Sequence, residues 1–233
     1  PHIRFGEISI RQIAESIQDD NSHDSEIFYK ELVWREFSYN LLFHFPHLTH
    51  DNLQKKFDSF EWENKQKNIK SWQKGLTGYP IVDAGMRQLW QTGYMHNRVR
   101  MIVGSFLVKN LLTHWRYGQE WFWDTLVDAD IASNSASWQW VAGTGADAAP
   151  YFRIFNPVTQ SKKFDPNGDY IRKYVPELKN IPSKYIHLPA DLDEKSLIEY
   201  GVKLGSDYPR PIVDLSATRQ RALDAFQKLP KST

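Results

Sequence analysis

The sequence predicts an all-α fold on three observations: apolar residues recur at helical spacing, no stretch alternates with period two, and prolines and glycines stand where helices should begin and end. In chain order, Ile8, Ile10, Ile13, Ala14 and Ile17 space a first helix, and the polar, acidic run from Gln18 to Ser25 reads as a surface loop. Phe28 to Phe45 predicts a second helix whose apolar face is Leu32, Val33, Phe37, Leu41 and Leu42, stopped by Pro46. His47 to Asn68 reads as short helices and loops. Thr77-Gly78-Tyr79-Pro80 reads as a turn, with Pro80 opening a helix that carries Ile81, Val82, Ala84, Met86, Leu89 and Trp90 and that Gly93 closes. His96 to Trp115 predicts the strongest helix, burying Val99, Ile102, Val103, Phe106, Leu107 and Leu111. Gly118 then separates it from a short helix over Glu120 to Val127. From Asp128 to Trp140 small, polar and aromatic residues alternate, and Ala142 to Pro157, rich in Gly, Ala and Pro, reads as a folded loop. Short helices around Tyr170 to Val175 and over Asp214 to Lys228 complete the chain.

Composition narrows the function classes. The chain has 233 residues, 41% hydrophobic and 24% charged, which is the balance of a globular protein. It contains no cysteine, which excludes disulfides, thiolate metal sites and cysteine nucleophiles. Its net charge of +1 offers a polyanion no general attraction, so a nucleic-acid partner would need a local basic patch. No apolar run approaches the roughly 20 residues of a membrane span, and no signal peptide opens the chain. The start at Pro1, without Met, reads as a piece of a longer protein.

Several clusters can carry chemistry. Asp128 and Asp130 offer two carboxylates two residues apart, but no His or further acid stands at ligand spacing, so no metal site is expected and a helix cap is the favoured role for Asp130. Around His96 and Asn97 the sequence suggests the polar mouth of a pocket, with Arg98, Arg100 and Met101 close by. Trp138 and Trp140 cannot share one helix face, so they serve different surroundings: either one packs in the core and the other is partly buried, or they offer stacking to a flat ligand, a base or a cofactor ring. Nine Trp residues exceed what packing alone asks for. Basic residues interleave with Trp140, Tyr151 and Phe152 as a candidate nucleic-acid surface. No Gly-rich phosphate loop, nucleophile elbow or HExxH motif is present.

Taken together, ELVWREF from Glu31, GYPIVDAGMRQL from Gly78, MHNRVRM from Met95, SFLVKNLL from Ser105, DADIASNSASWQW from Asp128 and GADAAPYFRIFNP from Gly145 resemble the photolyase/cryptochrome family. The resemblance runs over nearly the whole chain and is most similar to bacterial cyclobutane pyrimidine dimer photolyases. It implies that residues 1–233 form the helical FAD-binding and lesion-binding domain. The family's N-terminal α/β domain, with an antenna chromophore such as a folate or deazaflavin, and its TSxLSP-like phosphate segment have no counterpart here.

The resemblance also implies roles. Phe28, Arg35, Asn97, Asp128, Asp130 and Asn134 match flavin-contacting positions, with Phe28 standing where relatives often have Trp and Asn134 facing the flavin N5. Glu31, Trp34, Asn97, Met101 and Trp140 match the lesion pocket, Trp62, Trp115 and Trp138 the electron-transfer chain, and Arg98, Arg153, Gln160 and Lys163 contacts to the DNA backbone. The implied activity is light-driven dimer repair in UV-damaged DNA by reduced anionic FAD, in a monomeric, cytoplasmic bacterial protein at the nucleoid with no membrane partner. Relatives acting on the other pyrimidine photoproduct carry His at the positions of Asn97 and Met101, which argues against that substrate. The alternative is a cryptochrome-like blue-light photoreceptor without repair. Asn134 and Trp140 favour repair, whereas Ser135 and Ser137, within ASNSAS, would retune the flavin pocket towards sensing.

Overall fold

A computed structural model describes residues 1–148, 150–151 and 153–230. Among the described residues eleven α-helices follow one another: α1 (Ile10–Ser16), α2 (His23–His44), α3 (Gln66–Gln73), α4 (Pro80–Thr92), α5 (Asn97–Ser105), α6 (Trp115–Thr125), α7 (Ile131–Ala142), α8 (Pro157–Phe164), α9 (Asp169–Tyr174), α10 (Glu194–Glu199) and α11 (Leu215–Gln227). Apart from one isolated bridge between Leu204 and Tyr208, no strand is present among the described residues.

Local chemistry sets most of the boundaries. Ser9 and Gln12 form a reciprocal capping box at the start of α1. Ser22 accepts from the Ser25 amide, so α2 begins earlier than Phe28, the first residue the apolar pattern marks. Pro80 opens α4, and Gly93 closes it in the left-handed conformation at φ 67°, as expected. α8 and α10 are additional to the sequence reading: both are short, with Asn156 and Asp193 as side-chain caps.

Two elements differ from the sequence expectation. The helix expected from His96 to Trp115 ends at Ser105, widens into a π turn over Phe106–Asn110 and breaks at Leu112, whose φ is 46°. Burial hides this break, because Leu111 and Leu112 stay inside and the apolar pattern runs on through it. A new helix, α6, starts at Trp115, with the His114 ring accepting from the Arg116 amide. Gly118 therefore lies within α6 rather than ahead of it. A Cβ there would sit 2.1 Å from the Trp138 ring, so the glycine leaves room for the indole of a neighbouring helix. The apolar face expected of α2 also differs: Leu32 and Leu41 are buried, but Val33 is 51% exposed, because one helix, α7, covers only a narrow strip of α2.

The main core gathers α4, α5, α6, α7 and α9 around Trp72, Met86, Phe106, Trp115 and Trp138. A smaller cluster of Phe57, Phe60, Leu112, Tyr151 and Ala222 packs at the α11 side. One buried carboxylate organises the turn before α4. Asp83 Oδ1 accepts from the Thr77 amide (2.7 Å) and hydroxyl (2.6 Å), and its Oδ2 accepts from the Gly78 amide (3.0 Å) and the Tyr208 hydroxyl (2.6 Å). Gly78 is required there, at φ 79° and with the Arg210–Pro211 backbone 2.4 Å from any Cβ. Removing the acceptor strands four buried donors, so Asp83→Ala is expected to lower unfolding free energy by about 3 kcal/mol or more. Urea unfolding monitored by tryptophan fluorescence measures it, and a loss under about 1 kcal/mol contradicts this account.

Candidate functional site

A cleft of ≈ 700 Å³ opens between α2, the start of α5, the segment before α7, α7 itself and the loop after it. Its wall contains Glu31 and Trp34 from α2, Asn97, Arg98 and Met101 from α5, Asp128 and Asp130, and Asn134, Trp138 and Trp140 from α7. These residues, singled out in three separate stretches of the sequence, thus meet around one cavity.

Asp130 is both a helix cap and a cleft residue. Its Oδ1 accepts from the Ser133 amide at 2.8 Å, as the capping expectation had it. Its Oδ2 accepts from the Tyr39 hydroxyl and lies 3.5 Å from the Arg35 guanidinium. Burial pulls its carboxyl upward, but the Ser133 amide, the Tyr39 hydroxyl and the Arg35 charge outweigh it and hold it below the ordinary value. Tyr39 is pushed the other way, by its own burial and by that bond. Asp128 accepts from Arg100 Nη2 at 2.8 Å, and Arg100 Nε donates to the Met95 carbonyl at 2.6 Å, which fixes the guanidinium on the cleft wall.

Asn134 lines the cleft and its Nδ2 donates to the Gln119 carbonyl at 2.9 Å, which commits the amide nitrogen to the protein. Ser135, expected to retune the pocket, is fully buried and accepts from Gln119 Nε2 at 2.6 Å instead. It faces α6 rather than the cleft, because consecutive residues of a helix point in different directions. Ser137 does line the cleft.

Other expected site residues stand outside the wall. Phe28 is 44% exposed and does not line the cleft. Arg35 reaches the site only through Asp130 and Tyr39, donating to the tyrosine hydroxyl at 3.1 Å. Arg153 and Lys163 are exposed and Gln160 half-buried, all on or before α8. Lys163 and the cleft residue Arg98 both approach the Phe164 ring, at 5.3 and 4.7 Å. Phe152, counted with the basic and aromatic surface, lies outside the described residues.

Trp138 touches the cleft at one edge and packs on α6 through Gly118 at the other, one turn beyond Trp115. Trp115 is fully buried and donates to Asn52 Oδ1 at 2.8 Å. The His114 ring lies between Trp115 and the half-buried Trp62, 5.4 and 5.2 Å from their centres. Burial, assisted by Arg116, depresses His114 to about 4. Between its ordinary value of 6.5 and about 4 the unfolded chain binds the extra proton, so stability falls as pH drops through that window. His114→Gln is expected to flatten the fall in melting temperature between pH 7 and 4.5; an unchanged slope contradicts this.

The sequence reading did not include Tyr39 or pair Arg100 with Asp128. Tyr39 lies four residues after Arg35, a spacing that puts both on one helix face and was legible. The Arg100–Asp128 pair joins separate elements and left no sequence signal.

The profile of the family described as the FAD binding domain of DNA photolyase matches residues 28–228. A deoxyribodipyrimidine photo-lyase of Agrobacterium fabrum is 56% identical over 100% of this chain and 50% of its own length. The crystal structure of a bacterial class III photolyase from Agrobacterium tumefaciens superposes with a TM-score of 0.92 at 55% identity, covering 97% of this chain and 48% of that one. A Synechocystis cryptochrome superposes at 0.89 with 38% identity, covering 97% and 47%. The chain thus spans about half the length of the relatives it matches.

Proposed function

The chain belongs to the family of the DNA photolyase FAD-binding domain, and on that footing we propose that it repairs cyclobutane pyrimidine dimers in DNA, using light and a reduced anionic FAD seated in the cleft. The observation that carries the reading is the meeting of an acid–amide–arginine floor and an aromatic wall around one cavity. The residues fit the cofactor. Two buried polar atoms lack partners among the described residues, Asp128 Oδ1 as an acceptor on the cleft wall and Arg35 Nε as a donor behind it, the complement of a group with phosphate oxygens and hydroxyl or ring N–H groups. When bound, FAD supplies the light-driven one-electron chemistry.

The protein supplies position and polarity. Asp128 and Asp130, the latter braced by Arg35 and Tyr39, would hold the cofactor's polar chain. The Asn134 amide oxygen would accept from a ring N–H of that group. Trp34 and Trp140 offer apolar faces to the bent dimer, and Met101 fills the space beside Asn97. Glu31 and the Asn97 amide hydrogen-bond the thymine edges and stabilise charge developing there. Arg98, Arg153, Gln160 and Lys163 hold phosphates while the lesion leaves the duplex, a step that costs less at a damaged pair. Trp62, Trp115 and Trp138 carry electrons to the cleft from the surface.

Within this reading residues 1–233 are the flavin- and lesion-binding domain, and a folate or deazaflavin antenna belongs to an α/β domain outside them. The protein acts as a monomer in the bacterial cytoplasm, at the nucleoid. Among the described residues no helix is long and apolar enough to cross a membrane.

The test is a visible spectrum before and after blue light with a reductant, followed by repair of an oligonucleotide containing one dimer. Flavin absorbance that bleaches, with restoration of the thymines, supports repair. Photoreduction without restoration moves the protein to the photoreceptor reading.

A further inference from the structure

The loop between α7 and α8 walls the cleft through Gly145, Ala146 and Asp147. Its first residues are tied down by Gln54, which donates from its amide to the Thr144 carbonyl and from Nε2 to the Gly145 carbonyl, both at 2.9 Å. Its root is held by a different kind of group. Lys109, on the π turn after α5, is 1% exposed and forms no ion pair among the described residues. Its Nζ donates to the Ala142 carbonyl at 3.2 Å and the Tyr151 carbonyl at 3.1 Å, and lies 3.5 Å from the centre of the Tyr151 ring. Burial pushes its ammonium well below the ordinary lysine value.

A cation buried without an anion is a net cost to folding, and an apolar side chain of the same length would fill the space without it. Lysine adds donors aimed at the residue where the loop leaves α7 and at the residue where it returns. The aromatic ring beneath the ammonium fixes that geometry. π turns themselves recur at functional sites, because they re-aim a side chain that a regular helix would turn elsewhere.

We propose that Lys109 is a positioning residue for lesion binding: by bonding the Ala142 and Tyr151 carbonyls it fixes the wall of the cleft formed by Gly145, Ala146 and Asp147 and holds Trp140 and Arg153 on either side of that wall. This rests on the repair reading above. Lys109 touches neither cofactor nor lesion, and it acts through the loop.

The experiment uses flavin-loaded protein with Lys109→Met and Lys109→Gln, the second retaining N–H donors on a shorter stem. Three quantities are read: flavin absorbance with its photoreduction, affinity for an oligonucleotide with one thymine dimer against its undamaged twin, and the rate of tryptic cleavage after Arg153. For Lys109→Met the expected result is unchanged flavin content and photoreduction, roughly tenfold weaker dimer binding with the turnover at saturation retained, and faster cleavage. Lys109→Gln should fall between it and the parent.

Unchanged dimer affinity in Lys109→Met overturns the proposal. So does a parallel loss of flavin, melting temperature and affinity in both variants, which would make Lys109 a core residue only. If the parent protein itself fails to prefer the damaged oligonucleotide, the repair reading fails. The cleavage rate then decides the clamp alone, and a rate equal to the parent's overturns it.

Discussion

Replacing Trp140 by alanine is expected to weaken binding of a dimer-containing oligonucleotide by roughly 5- to 100-fold while leaving flavin content unchanged. Stacking of an indole on a base is worth about 1–3 kcal/mol. Trp140 is half-buried, lies on the cleft wall and packs its inner edge against the main core. Its outer face is therefore free for a ligand, unlike that of its neighbour Trp138, which is 3% exposed. Equilibrium binding to damaged and undamaged oligonucleotides measures the effect. Equal affinity for the dimer in parent and variant removes Trp140 from the lesion site. Trp34, 49% exposed on α2, should behave alike, and because both rings would hold one dimer, the double variant should lose less than the sum of the singles.

Gly118→Ala should lower the melting temperature and slow flavin photoreduction together. Helix propensity alone argues the opposite, since alanine inside a helix gains up to about 1 kcal/mol over glycine. The Trp138 ring decides the sign. Its atoms lie 2.1, 2.4 and 2.5 Å from where the new methyl would stand, far inside contact distance, so the indole must move. Trp138 packs on α6 against Gly118 and Phe122, its ring centre 5.0 Å from that of Phe122, and also meets Trp72, so the indole can yield only towards the cleft that its other edge lines. Overpacking of this kind costs about 1–3 kcal/mol. It also displaces the tryptophan that links the cleft to α6. A stability gain in Gly118→Ala would show that the indole has room and that the glycine is incidental.

Much of the local structure was legible in the sequence. Pro80 and Gly93 bracket α4 because each imposes or permits a backbone angle through its own covalent geometry. Asp130 caps α7 for the same reason: its carboxylate reaches an amide three residues on. The residues matched to a lesion pocket and a flavin site were legible as motifs, and Glu31, Asn97, Asp128 and Trp140 among them line one cleft. Phe28 and Arg35 were assigned to the same group, yet the cleft reaches Arg35 only through Tyr39 and Asp130.

The sequence by itself determined the all-α class, the helix starts and stops made by Pro, Gly, Ser and Asp, and the family to which the residues belong. These rest on interactions between residues a few positions apart, which the order of the chain already contains. Tertiary structure alone decided that the helix after His96 breaks at Leu112, that Gly118 sits inside α6, that Ser135 turns from the cleft, and that Lys109 closes a loop from within the core. Each depends on a partner distant in sequence, and apolar periodicity records only that a residue is buried, never against what.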